Sequence, residues 1–143
     1  MKSTPDLILA LLLIITQVLI GAGGEVYGTD DQGRYPIHYT GISPYNTTAM
    51  IRYLLEDAGK KDDVNLKDFH DRTPLHEAAF GQNLEAVKSL ISYGADVNPV
   101  SKEGNTPLHG VRKGTVVWDY LVQHGADVSA KNRNGELPGE LVT

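Results

Sequence analysis

The chain has 143 residues, enough for one domain of ordinary size, and carries 13 Lys and Arg against 18 Asp and Glu for a formal net charge of −5. With no basic run to neutralise a row of phosphates, nucleic acid is not an expected partner. The absence of cysteine excludes a disulfide framework, a thiolate metal site, a catalytic thiol and a lipid-modified cysteine.

Residues 1–24 differ in composition from everything after them. Lys2 and the N-terminal amine give a modest positive start. Leu7 to Ile20 is an apolar run broken only by Thr16 and Gln17, and Gly21-Ala22-Gly23-Gly24 supplies small residues. This is the three-part form of a secretory signal peptide, expected to span residues 1–23. An uncleaved membrane anchor over residues 7–22 is the second reading, although spanning a bilayer takes about 20 apolar residues and this run is shorter. A buried helix of the folded domain is the third, and the apolar character of every face argues against it. Asp6 at the edge of the run weakens the leader and anchor readings slightly. Residues 24–29 read as a tether.

The next elements come in similar units. Gly33-Arg34-Tyr35-Pro36-Ile37-His38 opens the first, with Tyr35 where a capping hydroxyl is wanted, a loss of about 1 kcal/mol. An enlarged turn, Ile42 to Thr48, leads to a second helix through Met50-Ile51-Arg52-Tyr53-Leu54-Leu55, and the unit ends at Val64-Asn65. The turn contains Asn46-Thr47-Thr48, an N-glycosylation sequon that matters only in a eukaryotic secretory setting.

Thr73-Pro74-Leu75-His76 opens the second unit. The Thr73 hydroxyl is placed to cap free helix N–H groups, and Pro74 stands at the first helical position, where its missing donor costs nothing. Leu75, Ala78 and Ala79 form one narrow apolar face. Leu84, Val87, Leu90 and Ile91 recur at steps of three and four, describing a second amphipathic helix, and Gly94 follows where a left-handed cap is wanted.

Thr106-Pro107-Leu108-His109 repeats that opening and begins the third unit, and Asn98 follows Asn65 by the same interval. Its first helix has Gly110-Val111-Arg112-Lys113-Gly114 in place of the alanine pair, with each glycine costing about 1 kcal/mol relative to Ala. Its second helix, Val116 to Val122, is strongly apolar, and Trp118 aligns with Val87 and Ile51 as a core position. Gly125-Ala126-Asp127-Val128 echoes Gly94-Ala95-Asp96-Val97. Asn132 to Pro138 begins a fourth copy that has Leu137 where Thr belongs. It is expected to lie over Trp118 and Leu121 as a cap.

A period of about 33 residues, carrying T-P-L-H and G-A-D-V-N signatures, resembles the ankyrin repeat. The resemblance covers about Asp30 to the C-terminus. It implies an all-α solenoid of three repeats, at about 31–65, 69–98 and 102–131, plus a truncated C-terminal cap at 133–143. Such a stack, held only by nearest-neighbour contacts, is expected to be a marginally stable monomer.

His38, His76 and His109 share one repeat position. A metal row is the sharp reading, but copies about 10 Å apart lie far beyond the ~2.1 Å reach of shared zinc ligation. The resemblance gives these residues a structural role, bridging backbone groups of adjacent repeats. No nucleophile elbow, phosphate loop or paired acid–base set stands out, so no enzyme and no cofactor are expected.

The resemblance places partner contacts on the finger tips and on the inner face of the first helices. In repeat one these are Asp31, Gln32 and Arg34. In repeat two they are Phe69, His70, Arg72 and Phe80. Repeat three contributes Lys102, Glu103, Asn105 and Lys113, and the last finger Arg133 and Asn134. Phe69 and Phe80, large and apolar where exposure is expected, stand out as anchors, with Arg72 between them. The expectation is a non-enzymatic module exported from the cytoplasm, secreted or periplasmic, that recognises one protein and no small-molecule substrate. The alternatives are a membrane-tethered scaffold, an effector delivered to a host, and an inhibitor or regulator of an enzyme encoded nearby.

Overall fold

The computed structural model describes residues 29–42, 47–57 and 59–140. The signal peptide, most of the tether and the Asn46 sequon expected from sequence lie outside them. The described residues are helical and contain no strand.

Repeat one begins with a 3₁₀ turn, Pro36–Gly41, followed by α1, Thr47–Arg52, which runs into a π-helical turn, Tyr53–Asp57. A further 3₁₀ turn, Lys61–Asn65, forms its tail. Repeat two has α2, Pro74–Phe80, and α3, Leu84–Ser92, where the Asn83 side chain accepts the Ala86 N–H at 3.1 Å as a helix cap. In repeat three the first helix shrinks to a 3₁₀ turn, Pro107–Gly110, before α4, Val116–Gln123, which is capped by Thr115.

One apolar core runs through the stack. Ile51 and Leu54 of repeat one, Val87 and Leu90 of repeat two, and Trp118 and Leu121 of repeat three take equivalent places in it and are all buried. Repeat one and repeat two meet so closely that a Cβ on Gly41 would lie 2.4 Å from the Ala78 Cα. At the far end a Cβ on Gly139 would lie 3.2 Å from the Trp118 ring, so the last segment rests on that indole.

The capping at the first helices differs in detail from the sequence reading. The Thr73 hydroxyl stands 3.1 Å from Nδ1 of His76, and that ring nitrogen accepts the Thr73 backbone N–H at 3.0 Å. Histidine thus takes the place usual for Glu or Gln in a capping box. Thr106 and His109 repeat the pattern. Tyr35 and His38 keep its backbone half, with the Tyr35 N–H donating to His38 Nδ1 at 3.1 Å. The ring therefore supplies part of what the missing hydroxyl at Tyr35 withholds.

Candidate partner-binding surface

Each histidine does two things at once. While Nδ1 accepts a backbone N–H inside its own repeat, Nε2 reaches a carbonyl of the next one. His38 meets Arg72 at 2.9 Å, His76 meets Asn105 at 2.8 Å, and His109 meets Glu136 at 3.0 Å. Both bonds are satisfied together only by the neutral ring protonated on Nε2, so the network assigns that tautomer at all three sites. Burial pushes the His76 pKa down to about 4, partly offset by the bond to Asn105. Among the described residues, no three His, Asp or Glu side chains converge to hold a metal ion.

A second ladder joins the finger tips through backbone alone. The Phe69 N–H donates to the Gln32 carbonyl, Lys102 to His70, and Arg133 to Glu103, each at 3.0 Å. Inside each finger a short polar side chain closes the turn. Asp68 Oδ1 accepts the N–H groups of His70 and Arg72, and Asn132 Oδ1 those of Asn134 and Glu136. Ser101 accepts the Asn105 N–H through its hydroxyl.

On this frame the predicted contact residues divide into two sets. Arg34, Arg72, Phe80 and Asn105 come together along a groove of about 430 Å³ that crosses the first helices, where Glu77, Pro107 and Gly110 complete its walls. Phe80 is 75 % exposed in that groove. Arg72 pairs with Glu103 across 3.8 Å, and both side chains are about half exposed. Arg34 is held by Asp30 at 2.9 Å and lies 5.1 Å from the centre of the Tyr39 ring, so repeat one closes its end of the groove with a charge cluster. The Tyr39 hydroxyl donates to Asp30, and this bond, first among several, holds the carboxyl well below the usual carboxylate range.

The second set is the rim. Asp31, Gln32, Phe69, Lys102, Arg133 and Asn134 are exposed on the fingers, and His70 Nε2 meets the Gln32 amide oxygen at 2.9 Å. Phe69 does not line the groove. Its ring lies on the preceding finger, where a Cβ on Gly33 would meet Cδ1 at 2.2 Å, and 60 % of it stays exposed. Phe69 and Phe80 are therefore two separate apolar features. Lys113, exposed, lies beside Gly139 and away from the groove. Glu77, Pro107 and Gly110 were not singled out by the sequence, because the groove is shared between repeats and no single copy displays it.

Comparison with known proteins gives the family. The family model for ankyrin repeats, three copies, matches residues 9–101, and a single ankyrin repeat matches residues 103–133. The chain is 43 % identical over 70 residues to protein phosphatase 1 regulatory subunit 27 of Homo sapiens, which covers 48 % of this chain and 46 % of that protein. It is 34 % identical over 116 residues to the probable 26S proteasome regulatory subunit p28 of Saccharomyces cerevisiae, covering 76 % of this chain and 49 % of that one. Palmitoyltransferase AKR1 of the same yeast is 35 % identical over 112 residues, which amount to only 14 % of its length. The chain thus spans about half the length of the regulatory subunits it matches. With three stacked repeats, the histidine ladder and these matches in agreement, the chain belongs to the ankyrin repeat family.

Proposed function

We propose that this chain is a non-enzymatic binding module that seats one protein partner in the groove over repeats two and three, with the finger tips as its rim. The observation that carries this is Phe80, a large apolar side chain 75 % exposed on the wall of a groove. Leaving that ring in water is unfavourable, and covering it would remove most of the cost. Arg72 beside it is held only by the long 3.8 Å pairing with Glu103, so a partner carboxylate can take over that place. Two of the relatives are named as regulatory subunits, one of a phosphatase and one of a proteasome. That supports an enzyme or enzyme assembly as the partner, and a regulatory role for this chain.

The test is capture of a partner from the native cell by the immobilised chain and by its Phe69→Ala/Phe80→Ala variant. Both rings are exposed, so helicity by circular dichroism is expected to stay at the wild-type level while capture is lost. Equal capture by the variant would rule this surface out.

A further inference from the structure

The Phe80 ring stands between two hollows. On one side lies the groove shared by repeats two and three. On the other a hollow of about 380 Å³ is lined by Phe80, Gln82, Gly110, Arg112 and Thr115, so Phe80 and Gly110 are common to both. The two differ in charge. The groove sets Glu77 against Arg34 and Arg72, whereas Arg112 is the one charged side chain on the wall of the second hollow. Arg112 and Gln82 are exposed, and among the described residues neither the guanidinium nor the Gln82 amide has a hydrogen-bond or ion-pair partner. In a chain of net charge −5, an unpaired cation therefore stands beside an exposed aromatic ring.

Three residues around this hollow break local rules that the equivalent residues of other repeats keep. Arg112 stands where repeat one has Gly41 and repeat two has Ala79, both buried, and the backbone leaves the helix at Val111 just before it. Gln82 stands where repeat three has Gly114, one residue ahead of the helix cap. It takes a φ of +56° where the glycine takes +85°. A left-handed backbone crowds the Cβ of glutamine and leaves glycine unstrained. Phe80 keeps most of a phenyl ring in water. Each departure weakens the fold, and all three meet at one place. Local violations that collect in this way mark a working site.

We infer that the second hollow receives a carboxylate of the partner, carried by an Asp or Glu beside the bulky apolar residue that covers Phe80. The planar guanidinium of Arg112 can donate to both carboxylate oxygens, and the Gln82 amide offers a further donor. This presupposes the groove as the partner's seat and adds the chemistry of the segment that lies there, an apolar side chain flanked by an acid.

The experiment presents the full chain to a phage-displayed library of random peptides, with Arg112→Glu and Phe80→Ala variants in parallel. Expected from the wild-type chain are peptides that pair a bulky apolar residue with Asp or Glu. Expected from Arg112→Glu are peptides with Lys or Arg in the place of the acid. Arg112→Ala is expected to bind the acidic peptides about tenfold more weakly while melting no lower than the wild type, since it restores the residue of repeat two. Weaker binding without loss of stability is a result that a purely structural arginine would not give. An acidic preference that persists in Arg112→Glu, or peptides without an acid from the wild-type chain, overturns the inference, and the groove still stands if Phe80→Ala loses those peptides. No enrichment over Phe80→Ala removes the groove as the partner's seat and this inference with it. Should Arg112→Glu yield no folded protein, the affinity of Arg112→Ala decides.

Discussion

Repeats two and three start from the same four residues, Thr-Pro-Leu-His, and part within a turn. In repeat two the chain continues as α2 through Ala78 and Ala79, both fully buried between neighbouring repeats. In repeat three Val111 takes the place of Ala78 and remains buried, but Arg112 takes the place of Ala79 and turns out to solvent. A guanidinium cannot enter the dry site that a methyl fills, so the backbone leaves the helix at Val111, whose φ of −115° and ψ of 134° are extended. In repeat three the length of the first helix is therefore set by this one inward position, more than by the capping residues that the two copies share. The short turn has a second effect. It leaves Gly110 opposite Phe80, where repeat two has Glu77, and so opens the groove that Phe80 lines.

The comparison can be broken most strongly at the shared leucine. Leu75 and Leu108 are both fully buried. Leu75→Ala is expected to cost about 3–4 kcal/mol, because Leu75 stands in the regular helix α2 between two neighbouring repeats, which holds the cavity open. Leu108→Ala is expected to cost about 2 kcal/mol, because the irregular segment after it can relax inward. Urea midpoints for the two variants check this, and equal losses would mean that the short turn packs as rigidly as α2.

Acid tests the histidine at the centre of the stack. His76 has an unfolded pKa of 6.5 and a folded one of about 4, so between these values the unfolded chain binds more protons. Its contribution is fully present above pH 6.5 and is lost as pH falls toward 4, by up to about 3 kcal/mol. Unfolding midpoints measured from neutral pH down to mild acid are expected to decline, and His76→Gln is expected to flatten the decline while lowering stability at neutral pH.

The smallest effect is a gain. Gly110→Ala with Arg112→Ala restores the helix-forming pattern of repeat two. A Cβ on Gly110 meets the Phe80 ring at 3.4 Å, an ordinary contact. The pair is expected to stabilise the domain by about 1 kcal/mol. A rise in melting temperature with more helical ellipticity would show that the sequence, and not the stacking geometry, shortens this helix.

The repeat period was legible because a stack buries the same few positions in every copy, and Leu75, Leu108 and their partners recur at that spacing. The structural role of the histidines was legible through the family resemblance, though the second bond from Nδ1 to the capping residue was not. Tyr35 shows why. With a tyrosine there the sequence reads as a lost cap, yet the ring of His38 still accepts the backbone N–H. The groove was half legible. Phe80, Arg72, Arg34 and Asn105 were found position by position, but Pro107 and Gly110 belong to it only because repeat three lines the groove together with repeat two. Phe69 and Phe80 could not be told apart, since two exposed phenylalanines in one repeat carry no sign that one of them rests on Gly33.

The finger ladder has an evolutionary consequence. Phe69, Lys102 and Arg133 are joined to the preceding fingers through main-chain N–H groups, which every residue but proline possesses. The hydrogen bond of the joint does not depend on the tip side chain, although at Phe69 the ring also packs on Gly33 of the preceding finger. Tip residues can therefore drift, or be selected for a new target, with the mechanical fastening between repeats left intact. Asp31, Lys102 and Arg133 are exposed, so a library randomised at these three positions should keep most of its members folded.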